Sequence, residues 1–115
     1  MKLSFDSIGQ GCATFACGEG MAENQAVRIT APAAAAKCAA GDDFCGVTAS
    51  VARSGDACAV QLGGMVTLPY TGADPAVGYT GLSADGMGGV KADAAGRVRL
   101  VADVDPAVKT VTFCL

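Results

Sequence analysis

Histidine and tryptophan are both missing from the 115 residues. Without histidine the usual general base is gone, and with it the Ser-His and Cys-His nucleophile pairs. Without tryptophan, and with only four Phe and two Tyr, large side chains are scarce. The core is therefore expected to be thin, with backbones packed close together. The same shortage works against a carbohydrate platform, which would rest on Tyr70 and Tyr79 alone. No run approaches the ~18 apolar residues of a membrane-spanning helix. Leu3-Ser4-Phe5-Asp6-Ser7 is not the apolar stretch of a secretory signal. The chain is expected to be made in the cytoplasm, with no membrane partner. The net charge is -3, and Lys2, Arg28, Lys37, Arg53, Lys91, Arg97, Arg99 and Lys109 are scattered. A nucleic-acid surface needs them clustered, so no nucleic-acid partner is expected.

What the chain does contain is glycine, alanine and cysteine. Sixteen glycines suit turns and bends better than long helices. The six cysteines are Cys12, Cys17, Cys38, Cys45, Cys58 and Cys114. With no signal sequence the reducing reading applies and free thiols are expected, ahead of zinc or disulfides. Neither the Cys12–Cys17 nor the Cys38–Cys45 spacing is the two-residue knuckle of a zinc site. No metal or other cofactor is expected.

The most informative stretch is 58–70. Cys58, Val60, Leu62, Val66, Leu68 and Tyr70 alternate with smaller or polar residues, the period of a strand with one buried face. Gly63-Gly64 interrupts it. A two-residue hairpin there would set apolar Val60 and Val66 against polar Thr67 and Gln61, whereas a continuous chain keeps one face apolar. Continuous and straight, it would span about 43 Å, too long for a domain with a radius of gyration of about 13 Å. Gly63 and Gly64 are therefore expected to form a bend or bulge.

Other alternating segments are 27–31, 44–51, 77–82, 90–92, 98–104 and 108–115. In the 98–104 segment Val98, Leu100, Ala102 and Val104 are expected inward, with Arg97, Arg99 and Asp103 outward. Ala33–Ala40 has high helix propensity after Pro32 and reads as one or two helical turns or an irregular link. Residues 1–24 read as an irregular arm ordered against a partner, with 13–17 a strand or a helical turn, and 25–115 as one β-rich domain. No repeat of 20–50 residues is present. The expected fold is all-β: a small barrel or sandwich of seven or eight short strands, with at most one short helical segment.

Candidate chemistry is sparse. Asp103 and Asp105 share one side of a strand end, but Asp105-Pro106 reads as a turn, as do Asp42-Asp43 and Asp85-Gly86. Gly86-Met87-Gly88-Gly89 and Gly9-Gln10-Gly11 lack the Lys-Ser/Thr of a phosphate loop. Cys17 beside Gly18 has no activator. Arg97 and Arg99 share one face; a solvated outer face is the expected reading, and an anion or protein contact the alternative.

From Val27 onward the chain resembles the small capsid cement, or head decoration, proteins of tailed bacteriophages and prophages. The resemblance rests on Gly41-Asp42-Asp43-Phe44-Cys45-Gly46-Val47, on Ala59 through Pro69, on Pro75-Ala76-Val77-Gly78-Tyr79, and on the closing Thr110–Leu115. It implies a β-rich, non-enzymatic protein that forms homo-oligomers, often trimers, on a capsid surface in the virion. Its partners would be capsid protein and further copies of itself. Apart from the resemblance, which does not reach the first 24 residues, Phe5 and Phe15 of the arm and the pair Arg97 and Arg99 are the expected partner contacts. The alternatives are a small β-domain binding carbohydrate or peptide, and a metal-dependent or thiol enzyme.

Overall fold

The computed structural model describes residues 11–18 and 20–115. Within the described residues ten strands follow one another: β1 (Gly11–Cys17), β2 (Ala26–Ala31), β3 (Ala34–Lys37), β4 (Gly46–Val51), β5 (Ala57–Gly63), β6 (Met65–Thr71), β7 (Gly78–Ala84), β8 (Val90–Ala92), β9 (Arg97–Asp105) and β10 (Thr110–Cys114). The protein is all-β, and the described residues contain no helix. The strand count exceeds the seven or eight expected, and the strands close into two barrels rather than one.

The first barrel runs β1-β3-β2-β4-β5 and back to β1, and the second β6-β8-β7-β9-β10 and back to β6. In each, the first strand pairs parallel with the third, and every other contact is antiparallel. β6–β10 thus repeat the topology of β1–β5, although no repeat is visible in the residues.

Two of the extra strands come from a segment read as helical or irregular and from one left between strand and helical turn. Ala34–Lys37 is β3, not a helix. Pro32 and Ala33 form a two-residue turn in which Ala33 takes φ +57°, and this returns the chain antiparallel onto β2. Pairing to β2 and β1 satisfies the backbone of β3 on both sides, and that outweighs alanine's helix propensity. Within the N-terminal segment read as an arm, residues 11–17 form β1, paired along its length with β5. Residues 1–10, including Phe5, lie outside the described residues.

The stretch 58–70 is split at Gly64. β5 belongs to the first barrel, β6 to the second, and the two do not pair with each other. Gly64 has φ +87°, a conformation that costs a side-chain-bearing residue about 1–2 kcal/mol. Gln61 holds the bend: its buried side-chain amide donates to the carbonyls of Gly63 (3.0 Å) and Met65 (3.2 Å). The longest dimension of the molecule is 37 Å, shorter than the stretch would be if straight. Leu62, beside the bend, is exposed, so the apolar face is not continuous through it.

The two interiors differ. Val27, Ala35, Cys58 and Val60 fill the first, with Phe15, Cys17, Met21 and Val51 at its margin. Val66, Leu68, Tyr70, Leu82, Val90, Val101, Val111 and Phe113 fill the second, joined by Ala26, Phe44 and Val47 from the first half of the chain. In the first barrel a Cβ on Gly46 would lie 2.5 Å from the Gln61 carbonyl oxygen and 2.7 Å from Val60, so β4 and β5 approach at a distance that only glycine permits. Backbone hydrogen bonds stitch the barrels together. Gly41 donates to Ala84, Ala84 to Asp42, Ala26 to Gly88, and Leu115 to Gly64.

Candidate interaction site

β9 carries apolar side chains on both faces. Before its bulge, Arg99 and Val101 point inward and are buried, while Val98 and Leu100 stand 60 % and 41 % exposed. This reverses the expected orientation of Val98, Leu100 and Arg99. Alternation identifies the residues that share a face; it does not say which face the core takes. The inner face is fixed by Phe44, whose ring stacks edge-on against Phe113 at 5.6 Å and 67°. The Arg99 guanidinium carbon lies 4.7 Å from the centre of the same ring.

Arg99 is 6 % exposed. One terminal nitrogen donates to the Phe44 carbonyl at 2.6 Å, while the buried Nε has no hydrogen-bond partner. Among the described residues the ion pair is Arg28–Asp42, at 3.5 Å on the surface, and no described carboxylate lies within ion-pair distance of Arg99. Burial, and after it the repulsion of Arg97, draws the Arg99 pKa below its ordinary value. The cation is held by one carbonyl and one aromatic face.

The register of the second barrel extends the outer face sideways. Tyr79 on β7 pairs with Leu100 on β9. Phe113 on β10 pairs with Val101, which sets the next residue, Cys114, level with Leu100. Cys114 in turn pairs with Met65 on β6. A row of apolar side chains, Tyr79–Leu100–Cys114–Met65, therefore crosses four strands. Tyr79 is 80 % exposed. Beside the row, Tyr79, Arg97, Val98, Arg99, Leu100, Cys114 and Leu115 line a shallow depression of about 290 Å³.

Further along β9 a register shift between Thr112 and Phe113 matches Thr112 to Asp103 and Phe113 to Val101, leaving Ala102 as an extra residue. The bulge turns the strand by one position. After it Val104 faces inward, and Asp103 and Asp105 are exposed on the side that Val98 and Leu100 occupy before it.

Of the four expected contact residues, Arg97 and Arg99 meet at this depression, Arg97 exposed and Arg99 beneath it. Phe15 packs at the margin of the first core, on the other barrel. Tyr79, Val98 and Leu100 were not expected there. Their signal was the doublet Leu100-Val101, which places apolar groups on both faces of one strand. Tyr70, the other tyrosine, is buried and donates its hydroxyl hydrogen to Asp74, so it offers no ring to a ligand. A second concavity of about 240 Å³ lies between the barrels, with Glu23, Thr48, Gln61 and Thr67 in its walls; Thr48 and Gln61 already bond Ala22 and the bend at Gly64. Among the described residues no three Cys, Asp or Glu side chains converge as metal ligands. Asp85 accepts from the amides of Met87 and Gly89, which makes the glycine-rich 86–89 segment a turn. No family profile and no curated protein matches this sequence.

Proposed function

We propose that this is a non-enzymatic structural protein of phage origin that assembles with itself and decorates a capsid surface, tying neighbouring capsid subunits together. It is made in the cytoplasm and ends on the virion. One observation carries the reading: the outer face of the second barrel presents Tyr79, Val98 and Leu100 to solvent on two strands whose inner faces already fill a core. A monomeric domain rarely leaves such a contiguous apolar row uncovered, and its presence favours a protein-binding surface. The resemblance of the segments from Gly41 to Leu115 to capsid cement proteins supplies the partner, and three copies as the assembly. Many copies, each making a modest contact, stabilise a shell through mass action and avidity.

The reading as a carbohydrate or peptide module finds less support, since its two-tyrosine platform is reduced to Tyr79. Co-sedimentation tests the proposal, using empty shells of the major capsid protein from the same genome. The protein should pellet with shells and raise their unfolding temperature. Protein that stays in the supernatant at every concentration would count against it.

A further inference from the structure

Two of the six cysteines meet inside the first barrel. Phe15 on β1 pairs with Cys58 on β5. Cys17, two positions on from Phe15, shares its face of β1 and lies diagonal to Cys58. Both pack with the small core of Val27, Ala35 and Val60. Their side chains are hydrogen-bonded to each other, and both are free thiols. The other four cysteines are placed differently. Cys12 is exposed and pairs with Gln61, on the opposite face of β1. Cys38 packs against the second core, Cys45 donates to the Val27 carbonyl, and Cys114 lies on β10.

The two thiols are unequal. Cys17 is half-buried and ends β1. Cys58 is 2 % exposed, and burial, then the hydrogen bond with Cys17, pushes its pKa up to about 11. An oxidant in solution therefore meets Cys17 first, with Cys58 behind it. A cross-strand diagonal spans about 7–8 Å, at the upper edge of what a disulfide bridges. Closing the bond draws the last residue of β1 towards β5, at the pairing that shuts the barrel.

We propose that Cys17 and Cys58 form a reversible redox latch, closed as a disulfide by a small disulfide oxidant such as oxidised glutathione and opened by thiol reductants. Cys17 loses its proton to solvent and attacks oxidised glutathione. One glutathione leaves as a thiolate, and Cys17 carries the other as a mixed disulfide. Cys58 then attacks the Cys17 sulfur and gives up its proton as the second glutathione departs. Two protein thiols are oxidised, and one glutathione disulfide is reduced to two thiols. The bond ties the first strand of the barrel to its fifth, in the half of the molecule whose core has the smaller side chains.

Treatment of the folded, full chain with oxidised glutathione tests this, followed by alkylation in denaturant and peptide mapping by mass spectrometry. Wild type should lose two alkylatable thiols, Cys17 and Cys58 should map to one cross-link, and dithiothreitol should restore both. The urea midpoint of the oxidised chain should rise by about 1–2 M. Cys58→Ala should stop at the mixed disulfide on Cys17. Should that variant fail to fold, Cys17→Ala, at a half-buried strand end, should leave Cys58 unmodified and the midpoint unmoved by the oxidant. Thiols that all remain alkylatable, a cross-link joining another pair, or a wild type that halts at the mixed disulfide would overturn the pairing. A Cys17–Cys58 disulfide that leaves the urea midpoint where it was, or lowers it, would overturn the latch.

Discussion

In the first barrel the fully inward positions hold Val27, Ala35, Cys58 and Val60; in the second they include Leu68, Leu82, Val111 and Phe113. The strand order and the one parallel pair are the same in both, so the difference lies in volume. The first barrel is filled by small side chains and by backbones drawn together at Gly46. The second encloses large side chains and borrows Ala26, Phe44 and Val47 from the first half of the chain. One topology therefore tolerates two ways of excluding water, and they should not be equally strong. Buried apolar area contributes roughly 25 cal/mol per Å², so the second barrel should dominate stability. It also carries the proposed interaction face, which suits a rigid support for a contact that must keep its register.

The comparison is tested most severely at the fifth strand of each barrel. Phe113→Ala should cost about 3–5 kcal/mol in urea unfolding, and Val60→Ala about 2 kcal/mol. Equal losses would mean that the two cores contribute alike. Next in size, Gly46→Ala should cost about 1–3 kcal/mol, because the new Cβ meets the Gln61 carbonyl and Val60. A loss near zero would show that β4 can move away from β5 and that the first barrel is loosely closed.

Alkaline pH should separate the barrels more gently. Burial, and after it the hydrogen bond with Cys17, pushes the Cys58 thiol from 9.0 up to about 11. Burial, then Asp42, does the same to Cys38 at the seam between barrels. In the second barrel the hydrogen bond to Asp74, followed by burial, pushes Tyr70 from 10.0 up to about 12. All three shifts are upward, so the folded chain keeps protons that the unfolded chain loses. Their contribution is complete below pH 9 and falls as pH rises. The thiol part is lost between 9 and 11 and the Tyr70 part between 10 and 12. In a Cys38→Ala/Cys58→Ala chain the fall in urea midpoint should begin near pH 10; an onset unchanged from wild type would remove the thiols from the account. Smallest of all, Ala33→Gly should stabilise the first barrel by about 0.5 kcal/mol, because glycine relieves the positive φ of the Pro32 turn. A net loss in thermal melts would mean that glycine's greater freedom in the unfolded chain outweighs that relief.

The all-β class was legible because alternation at 27–31, 44–51, 98–104 and 108–115 is a local signal. The thin, close-packed core of the first barrel was legible from the scarcity of large side chains beside many glycines; the larger core of the second was not. A break at Gly63-Gly64 was legible from the glycines, but not its kind: parity called for one bent strand with a continuous apolar face, whereas the chain passes there from one barrel to the other with Leu62 exposed. The second barrel as a topological copy of the first was not legible, because GCATFAC of β1 and MVTLPYT of β6 play the same part with unrelated side chains. β3 was hidden because Ala34, Ala35 and Ala36 prefer helix when considered alone, and only pairing on both sides makes them a strand. The candidate site was half legible. Arg97 and Arg99 stood out as a pair, but which face of β9 lies inside depends on Phe44, a residue far away in the sequence.

Both sheets close on themselves, and this sets the terms on which the molecule meets anything else. A strand at an open edge offers unpaired amides and carbonyls, and any extended peptide can add to it whatever its sequence. Here β1 returns to β5 and β6 returns to β10, so neither sheet leaves a strand wholly unpaired along one side. A protein accumulated to high local density is thereby guarded against runaway strand addition into fibres. Recognition must instead be written in side chains. Such a surface can be re-specified for a new partner by a few substitutions on β7 and β9, without disturbing the ladders that hold the barrels shut.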